Sequence, residues 1–479
     1  MQSLALPKFV VIKSRYNGKY LRRISVEESI QKGLPPTFLN FQGEDITSPF
    51  VKFEVERAKK DPELVHIRCC HNNKYLAAPE SNSWWVMATA DQPVEDDGRS
   101  STMFKPIKTD EFDNEEYFRF FHPGSGHYAC LWRAAKPHDD GLIAAYSSKD
   151  GDHCDVYKVL DWESLVIFPK TIVGFKMQGT ENKYLSYRWI EGHPYLQFVP
   201  NDIADQTTGN EISSFGDGYI RIRNLSTGKF WRRSPNWIWA DSSDTTGNDK
   251  DTLFWPIKLS DNVVALRNLG NNYFCKSLTT EGKTECLNAG VPSITDEAKL
   301  EVVEGVISRS IYDLNFRPED GRIYNVKVIE KAHEAAENND DVENTMALKF
   351  SYKDTSSSTL GGSVSLKLGV KTTLQVDTIP LIFEGKIELS AECTGTHQWG
   401  STNTVETLTE STYTVKVPPK TRVIVTLVAS KGTCDVPFSY TRRDLLYNGN
   451  TIMNNLDDGI YTGVNTFNVD FQSRHEKLP

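Results

Sequence analysis

A long run of alternating apolar and polar residues lies between Gly361 and Gly395. From Ser363 to Asp377 the apolar side chains occupy even-numbered positions, and only Thr372 interrupts the row. Because successive side chains of a strand point to opposite faces, this period of two predicts a strand with one apolar and one polar face. After an apolar tip at 379–383 the alternation resumes. The run therefore predicts an amphipathic β-hairpin.

The proposed apolar face is the set of side chains that would meet lipid if this hairpin entered a membrane. It comprises Val364, Leu366, Leu368, Val370, Leu374 and Val376 on the first arm, Ile379, Leu381, Ile382 and Phe383 at the tip, and Ile387 and Leu389 on the second arm.

Two interpretations of the hairpin are open at this point. A strand of about fourteen residues rises roughly 46 Å, which is longer than a tilted transmembrane strand requires, and several such hairpins could close a barrel with lipid outside and water inside. Alternation also describes a hairpin of a soluble sheet that packs its apolar face on a core. The hydroxyl-rich flanks, YKDTSSSTLGGS and THQWGSTNTVETLTESTYTV, favour the membrane interpretation.

These features resemble the aerolysin-type pore-forming module from about Val306 to the end of the chain. Members of that family combine an elongated antiparallel sheet, Ser/Thr-rich strands and an alternating hairpin with an apolar tip. The resemblance implies that the hairpin at about 361–395 unfolds into a membrane barrel after the protein oligomerises.

Internal repeats dominate the first three hundred residues. Six segments each read as a strand, a polar turn and a second strand that opens on an aromatic residue, and these aromatics are separated by 55, 53, 56, 46 and 43 residues. The aligned aromatics are Tyr20, Tyr75, Tyr128, Tyr184, Phe230 and Tyr273. Repeats of this period without helical pattern predict two sets of three β-hairpin units.

A longer match pairs 74–108 with 229–258, and both stretches end in a Phe-x-Pro-Ile-Lys motif. With the repeated Lys-Tyr-Leu and the Asp161-Trp162 pair, the region resembles an amaranthin-type plant agglutinin. That resemblance implies two tandem β-trefoil domains, binding of galactosamine-containing glycans such as the T-antigen disaccharide, and a head-to-tail dimer. The predicted fold class is all-β, with two β-trefoils (1–162 and 163–305) followed by an aerolysin-like antiparallel sheet module (306–479).

Sugar sites combine an aromatic platform with planar amide or carboxylate groups. The loop Asn82-Ser83-Trp84-Trp85 offers this combination, and the resemblance places part of the family's glycan site there. Ser83 and Trp84 stand where the family has His and Tyr, which leaves the specificity open. The paralogous loop carries Asn236 and Trp237, which are either a second sugar site or parts of the trefoil core.

The composition excludes several other functions. A net charge of −10 argues against nucleic acid as a partner. The sequence HIRCCH at 66–71 lies on a predicted strand with no second ligand pair at zinc spacing, so no metal is expected. Neither a phosphate loop nor a hydrolase motif occurs, so no catalytic residue and no cofactor are predicted.

Eight cysteines without a regular framework suit a reducing compartment, and no secretory signal is evident. We therefore expect a cytoplasmic protein that acts at target membranes only conditionally. The acidic stretch 330–344 is expected to be a charged surface turn.

Together these observations predict a non-enzymatic lectin that binds GalNAc- or Gal-containing glycans and forms β-pores as a homo-oligomer. That oligomer would be a dimer through the lectin domains and a larger assembly in a pore. The alternative is a soluble, stress-related lectin whose third module forms no pore, and a carbohydrate-active enzyme is a more distant third.

Overall fold

The computed structural model describes residues 6–78, 84–109, 112, 115–149, 151–177, 183–391 and 395–479. The chain divides into two compact units. The first comprises Met1–Arg309, Ser363–Val370 and Arg442–Asn454, and the second comprises Ser310–Gly362, Lys371–Thr441 and Asn455–Pro479. Part of the predicted insertion hairpin therefore belongs to the unit that contains the two lectin-like regions.

The first twelve strands form one antiparallel sheet. They are β1 (Phe9–Ser14), β2 (Tyr20–Arg23), β3 (Leu39–Gly43), β4 (Phe53–Arg57), β5 (Val65–Cys69), β6 (Lys74–Ala77), β7 (Met87–Ala90), β8 (Met103–Thr109), β9 (Tyr117–His122), β10 (His127–Trp132), β11 (Gly141–Tyr146) and β12 (Tyr157–Asp161). Helix α1 (Val26–Lys32) follows β2, with Ser25 as its N-cap and Gly33 at φ 64° as its C-cap.

Six of these strands close into a barrel, because β1 pairs with β12 and β4, β4 with β5, β5 with β8, β8 with β9, and β9 with β12. The remaining strands form the hairpins β2–β3, β6–β7 and β10–β11. Each consecutive set of four strands thus gives two barrel strands and one hairpin pair. This threefold arrangement is the β-trefoil that the repeats predict.

The second region repeats the plan with β13 (Val173–Met177), β14 (Leu185–Ile190), β15 (His193–Phe198), β16 (Asn210–Phe215), β17 (Tyr219–Asn224), β18 (Phe230–Ser234), β19 (Trp237–Ser242), β20 (Phe254–Lys258), β21 (Val263–Asn268), β22 (Phe274–Thr280), β23 (Lys283–Val291) and β24 (Leu300–Glu304). Its barrel ring is β13, β16, β17, β20, β21 and β24. Each barrel encloses its own apolar core, including Phe41 and Phe104 in the first and Phe175 and Trp231 in the second.

The carboxy-terminal strands are β25 (Val306–Phe316), β26 (Arg322–Asn338), β27 (Asn344–Gly361), β28 (Thr373–Val376), β29 (Ile379–Phe383), β30 (Lys386–Ser390), β31 (Gly395–Gln398), β32 (Thr402–Val417), β33 (Thr421–Leu446) and β34 (Thr451–Lys477). Six of them form a sheet in the order β25-β33-β34-β27-β32, with β26 paired to β33. Short 3-10 helices occur at Pro49–Val51, Trp162–Ser164, Lys250–Thr252, Asp296–Ala298 and Pro318–Asp320.

The all-β fold class predicted from the sequence is confirmed. The expectation of a surface turn over 330–344 is wrong for its first nine residues. Positions 330–338 belong to β26 and pair with β33 along most of its length. Backbone pairing between long neighbouring strands therefore outweighs the helix-permissive composition of the segment.

A buried ion pair stabilises the first barrel. Arg119 and Asp155 are both almost fully buried, and Nε of Arg119 donates to Oδ2 of Asp155 over 2.9 Å. The guanidinium also donates to Oγ1 of Thr109 over 3.0 Å. Removal of one buried partner leaves the other charge without compensation in a medium of low polarity.

We expect Arg119→Met to lower the free energy of unfolding of the first trefoil by about 3–5 kcal/mol, since Asp155 would remain buried. The matched control is Arg223→Met, because Arg223 pairs with Glu211 on the surface of the second trefoil and such pairs contribute about 0–1 kcal/mol. Urea unfolding followed by tryptophan fluorescence measures both. Equal small effects of the two substitutions would contradict the importance of the buried pair.

Candidate functional site

Trp84 presents an indole on the surface of the first trefoil, just before β7. Its side chain is 37% exposed. The guanidinium carbon of Arg99 lies 3.8 Å from its ring centroid, and the His127 ring lies 4.8 Å away at 69°. The Arg99 guanidinium covers one face of this partly exposed indole, so the C–H face of a sugar would stack on the part of the ring that Arg99 and His127 leave open.

Trp85 is fixed more firmly than Trp84. It is half-buried, stacks on His138 with ring centroids 5.2 Å apart, and meets Phe38 edge-on at the same distance. A Cβ at Gly141 would lie only 2.5 Å from the Trp85 ring, so a residue without a side chain is needed there. Trp85 therefore positions the loop, while Trp84 offers the open surface.

Asp139 follows His138 and adds a polar group next to this stack. Gln42 Nε2 donates to Asp139 Oδ2 over 2.9 Å, whereas Oδ1 of Asp139 is buried without a hydrogen-bond partner in the part of the chain that is described. Because this oxygen is buried, Asp139 belongs to the support of the stack, and a ligand hydroxyl does not reach Oδ1 in this conformation.

The predicted sugar-site residues have different places in the structure. Asn82 and Ser83 lie outside the described residues. Sequence reasoning missed Arg99, His127 and His138, which come from separate stretches and meet the tryptophans only in the folded domain. Nothing in the sequence indicates that these three residues approach the tryptophans.

The paralogous loop of the second trefoil has a different geometry. Trp237 is only 6% exposed and packs with Tyr195, Trp239 and Cys286. Asn236 lies in the exposed turn before β19, where its Oδ1 accepts from Arg233 Nη1 and Asn271 Nδ2, each at 3.3 Å. The indole of Trp237 offers no exposed platform, so this geometry favours the core interpretation.

The histidine and cysteine motif at 66–71 is structural. The buried His66 ring interacts with Oγ1 of Thr102 at 2.8 Å and with Oε1 of Glu95 at 3.1 Å, and Cys69 lies in the barrel core. Among the described residues, no group of His, Cys, Asp and Glu is arranged to hold a metal ion.

The start of the predicted insertion segment is held by the second trefoil and the linker before it. Ser365 N donates to the Ile167 carbonyl over 3.0 Å, and Ile167 N donates to Oγ of Ser365 over 3.0 Å. Lys367 N donates to the Asp261 carbonyl over 2.8 Å. Between them Leu366 is 5% exposed within the core of the second trefoil, with Leu368 packed beside it. We call residues 363–370 the clamped segment.

The rest of the insertion segment belongs to the second unit. Strand β28 pairs with β31 and β29 pairs with β30, each as a separate two-stranded sheet. The core of that unit contains four predicted apolar-face residues, namely Leu374, Val376, Ile379 and Ile382, with Leu381 and Ile387 packed against it. Val364, Phe383 and Leu389 are exposed, and Val370 is intermediate.

Two details of the predicted hairpin are wrong for this conformation. The first arm is no continuous strand, because 362–372 lacks strand structure and β28 covers only Thr373–Val376. Leu366 is buried in the core of the second trefoil, and this packing competes with strand pairing of the first arm. The residues 379–383 form strand β29 instead of a tip, and the chain turns at Glu384 and Gly385, which have φ of 48° and 80°.

A family model described as the agglutinin domain matches residues 4–161 and 166–307, and a model described as Clostridium epsilon toxin ETX/Bacillus mosquitocidal toxin MTX2 matches residues 298–442. The chain therefore belongs to the agglutinin domain family, with two tandem agglutinin domains followed by an aerolysin-like toxin domain. This confirms both resemblances seen in the sequence. Lectins and toxins of these types are non-enzymatic, which also confirms that prediction.

Solved structures similar to the chain include a lamprey immune protein, with 13% identity, 65% of this chain and 96% of that protein covered, and a TM-score of 0.32. An aerolysin-like protein of Bombina maxima has 16% identity, covers 36% and 99% of the two chains, and gives a TM-score of 0.25. A mosquitocidal holotoxin has 11% identity, coverages of 64% and 35%, and a TM-score of 0.29. No curated protein matches the chain. Within the described ranges, no helix is both long and apolar enough to span a membrane.

His397 is a buried titratable residue next to the predicted insertion segment. It lies on β31 opposite Leu374 and is 3% exposed. Burial lowers its pKa below the ordinary value of 6.5. Because the unfolded segment takes up the proton first, the folded form loses stability as the pH falls below about 6.5 and continues to lose it down to the folded-state pKa.

We expect acidification from pH 7.5 to 5.5 to lower the protection factors of amides in β28 and β31, that is, their protection relative to the intrinsic exchange rate at the same pH, by up to about tenfold per pH unit between the two pKa values. His397→Asn should reduce this dependence, because the uncharged amide does not titrate. His475→Asn, at an exposed position of β34, is the matched control. Local hydrogen exchange by mass spectrometry measures the effect, and an unchanged pH dependence in His397→Asn would exclude this histidine as its source.

Proposed function

We propose that this protein binds galactose- or N-acetylgalactosamine-containing glycans through its agglutinin domains and forms a transmembrane β-barrel from the insertion segment. Two family matches support the general division into a lectin and a toxin-like module. The glycan, the oligomer and the membrane step are parts of the proposal.

The pairing of β27 with β32 is the observation that supports the pore-forming part of the proposal. These strands flank the insertion segment and pair over sixteen residues without a register shift, from Asn344↔Val417 to Thr359↔Thr402. The intervening segment begins where this ladder ends. Extension of the ladder would turn it into one long hairpin.

The register of the ladder fixes which residues such a hairpin would bring together. Continued without a shift, it pairs Val370 with Ala391 and Leu374 with Ile387. Residues directly opposite each other in an antiparallel pair share a face. The even-numbered residues of the first arm, which include its apolar ones, therefore share a face with the odd-numbered residues of the second, and the turn falls at Pro380–Leu381 within the apolar tip.

The polar residues then occupy the opposite face, with Lys371 opposite Ser390 and Thr373 opposite Glu388. One apolar and one hydrophilic face along the two arms, below the apolar tip, is what lipid outside and water inside a barrel require. Closure of several hairpins in a ring would satisfy every backbone group, so the proposal requires a homo-oligomer.

In the present structure, which we call the stored form, the strands of this segment pair differently. Leu374 lies opposite His397 in the β28–β31 pair instead of Ile387. Two-stranded sheets as short as β28–β31 and β29–β30 have little stability of their own, so packing on the core holds them. Release of that packing and of the clamped segment is the conformational change that the proposal requires.

The lectin part is supported by the exposed Trp84 indole with Arg99 and His127 around it. A single shallow site of this kind binds weakly. Several subunits on one membrane would add their affinities through multivalency, which also raises the local concentration that oligomerisation needs.

We expect Trp84→Ala to weaken binding to a T-antigen glycan array about tenfold, because the stacking platform is lost. The control is Trp189→Ala, since Trp189 is 67% exposed on the second trefoil and lies at no proposed site. Equal binding by the wild type and Trp84→Ala would show that the surface around Trp84 is not the lectin site.

The membrane step is tested by locking the clamped segment with a disulfide between Asp261→Cys and Lys367→Cys, whose backbones are joined by the 2.8 Å hydrogen bond. We expect the wild type to release dye from liposomes that carry a galactosamine-terminated glycolipid, and the oxidised variant to bind them without release. Reduction with dithiothreitol should restore leakage and serves as the internal control.

Glycolipid-dependent binding by the wild type without leakage between pH 5 and 8, with or without protease treatment, would contradict the pore. The protein would then be a soluble lectin with an inactive toxin-like module.

A further inference from the structure

A cavity lies in the first unit, lined by residues that are distant in sequence from Trp84. Its volume is about 430 Å³, which is within the range of small-molecule sites. Its walls come from the second trefoil, from Gly305 after β24, and from the turn between β33 and β34. The apolar part of the wall consists of Ile172, Ile203, Leu225 and Leu446.

Three glycines keep this cavity open. A Cβ at Gly209 would lie 3.2 Å from both Ile172 and Leu225, and a Cβ at Gly305 would lie 3.3 Å from Ile172. Gly174 similarly faces Ile203 at 3.2 Å. Side chains at these positions would press on the residues that form the wall, so the hollow depends on their absence.

Polar groups of several kinds surround the opening. Asp205 is held in place, because its Oδ1 accepts from Thr207 N over 2.8 Å. Gln206 and Asn448 are exposed and bring primary amides, and Tyr447 is 45% exposed and brings a phenol ring. A carboxylate, two amides and an aromatic ring above aliphatic walls are the groups that bind a pyranose ring with its hydroxyls.

A buried ion-pair cluster fixes the two sides of the cavity. Arg309 donates to Oε1 of Glu304 and to Oδ1 of Asp444, each over 2.6 Å, and both carboxylates are almost fully buried. Tyr447 N also donates to the Gly305 carbonyl over 3.2 Å. The wall from the β33–β34 turn is therefore held against the second trefoil before any ligand arrives.

We propose that this cavity is a second carbohydrate site, separate from Trp84, that takes a neutral monosaccharide unit. Among the described lining residues, the carboxylate of Asp205 is already paired with Arg188 at 3.5 Å, and no lysine or arginine lines the cavity to bind an acidic sugar. This inference goes beyond the proposed function and requires no pore. A sugar held there would contact both the second agglutinin domain and the β33–β34 turn.

The test uses the full chain and saturation-transfer NMR with N-acetylgalactosamine, and N-acetylneuraminic acid serves as the acidic probe. In Trp84→Ala we expect N-acetylgalactosamine to keep a residual signal. Addition of Ala204→Trp, which fills the cavity from an exposed lining position, should reduce that signal at least fivefold.

Tyr447→Ala in the Trp84→Ala background should give a similar loss and covers the case in which the larger tryptophan disturbs folding. The matched control is Tyr273→Ala, because Tyr273 is 43% exposed in the same domain and does not line the cavity. Circular dichroism establishes that each variant is folded.

A complete loss of signal in Trp84→Ala alone would overturn the second site and leave the proposed lectin surface intact. A residual signal that survives both Ala204→Trp and Tyr447→Ala would also overturn it. An equal signal from N-acetylneuraminic acid would contradict the preference for neutral sugars.

Discussion

The antiparallel ladder between β27 and β32 is the constraint on which the proposed function depends. It pairs even-numbered residues with odd-numbered ones, as in Ser358 with Asn403 near the end of the ladder. The apolar residues are even-numbered on the first arm and odd-numbered on the second. A shift of the register by one residue would place half of them on the polar face. The register of the ladder is therefore the one that places the apolar residues of both arms on the same face.

In the stored form, too, even-numbered residues of the first arm pair with odd-numbered residues, although the register differs from that of the extended hairpin. Leu374 faces His397 in the structure and would face Ile387 in the extended hairpin, and both partners are odd-numbered. Leu374 and Val376, which the core now shields from water, would be shielded by lipid in a barrel, whereas the exposed Leu389 would be buried only there. In such a change the backbone hydrogen bonds of the short hairpins must be exchanged for those of the ring. Barrel closure supplies these hydrogen bonds only when enough subunits are present.

The sequence determined the faces of the insertion segment but not its pairing. Alternation follows from side-chain geometry, so it correctly identified Leu374 and Val376 as residues of one apolar face. The length of the strand in the first arm depends on which residues distant in sequence its side chains pack against. Leu366 packs in the core of the second trefoil. Repeats predicted the two trefoils well, because every repeat contributes the same barrel strands and hairpin. Arg99 and His127 could not be anticipated, since only the folded barrel brings their stretches to Trp84.

The linker between the two agglutinin domains connects the regions that the proposed function has to coordinate. Ile167 exchanges hydrogen bonds with Ser365 of the clamped segment, and the Lys170 carbonyl accepts from Arg442 and Asn454 at 2.8 and 3.1 Å. Ile172 lies in the wall of the cavity proposed as a second carbohydrate site. A ligand can shift a conformational equilibrium only through contacts that differ between its two states. This short linker contacts the clamped segment through Ile167 and the cavity through Ile172, so a ligand in the cavity would act on the clamp only if its contacts with Ile172 differed between the clamped and released states.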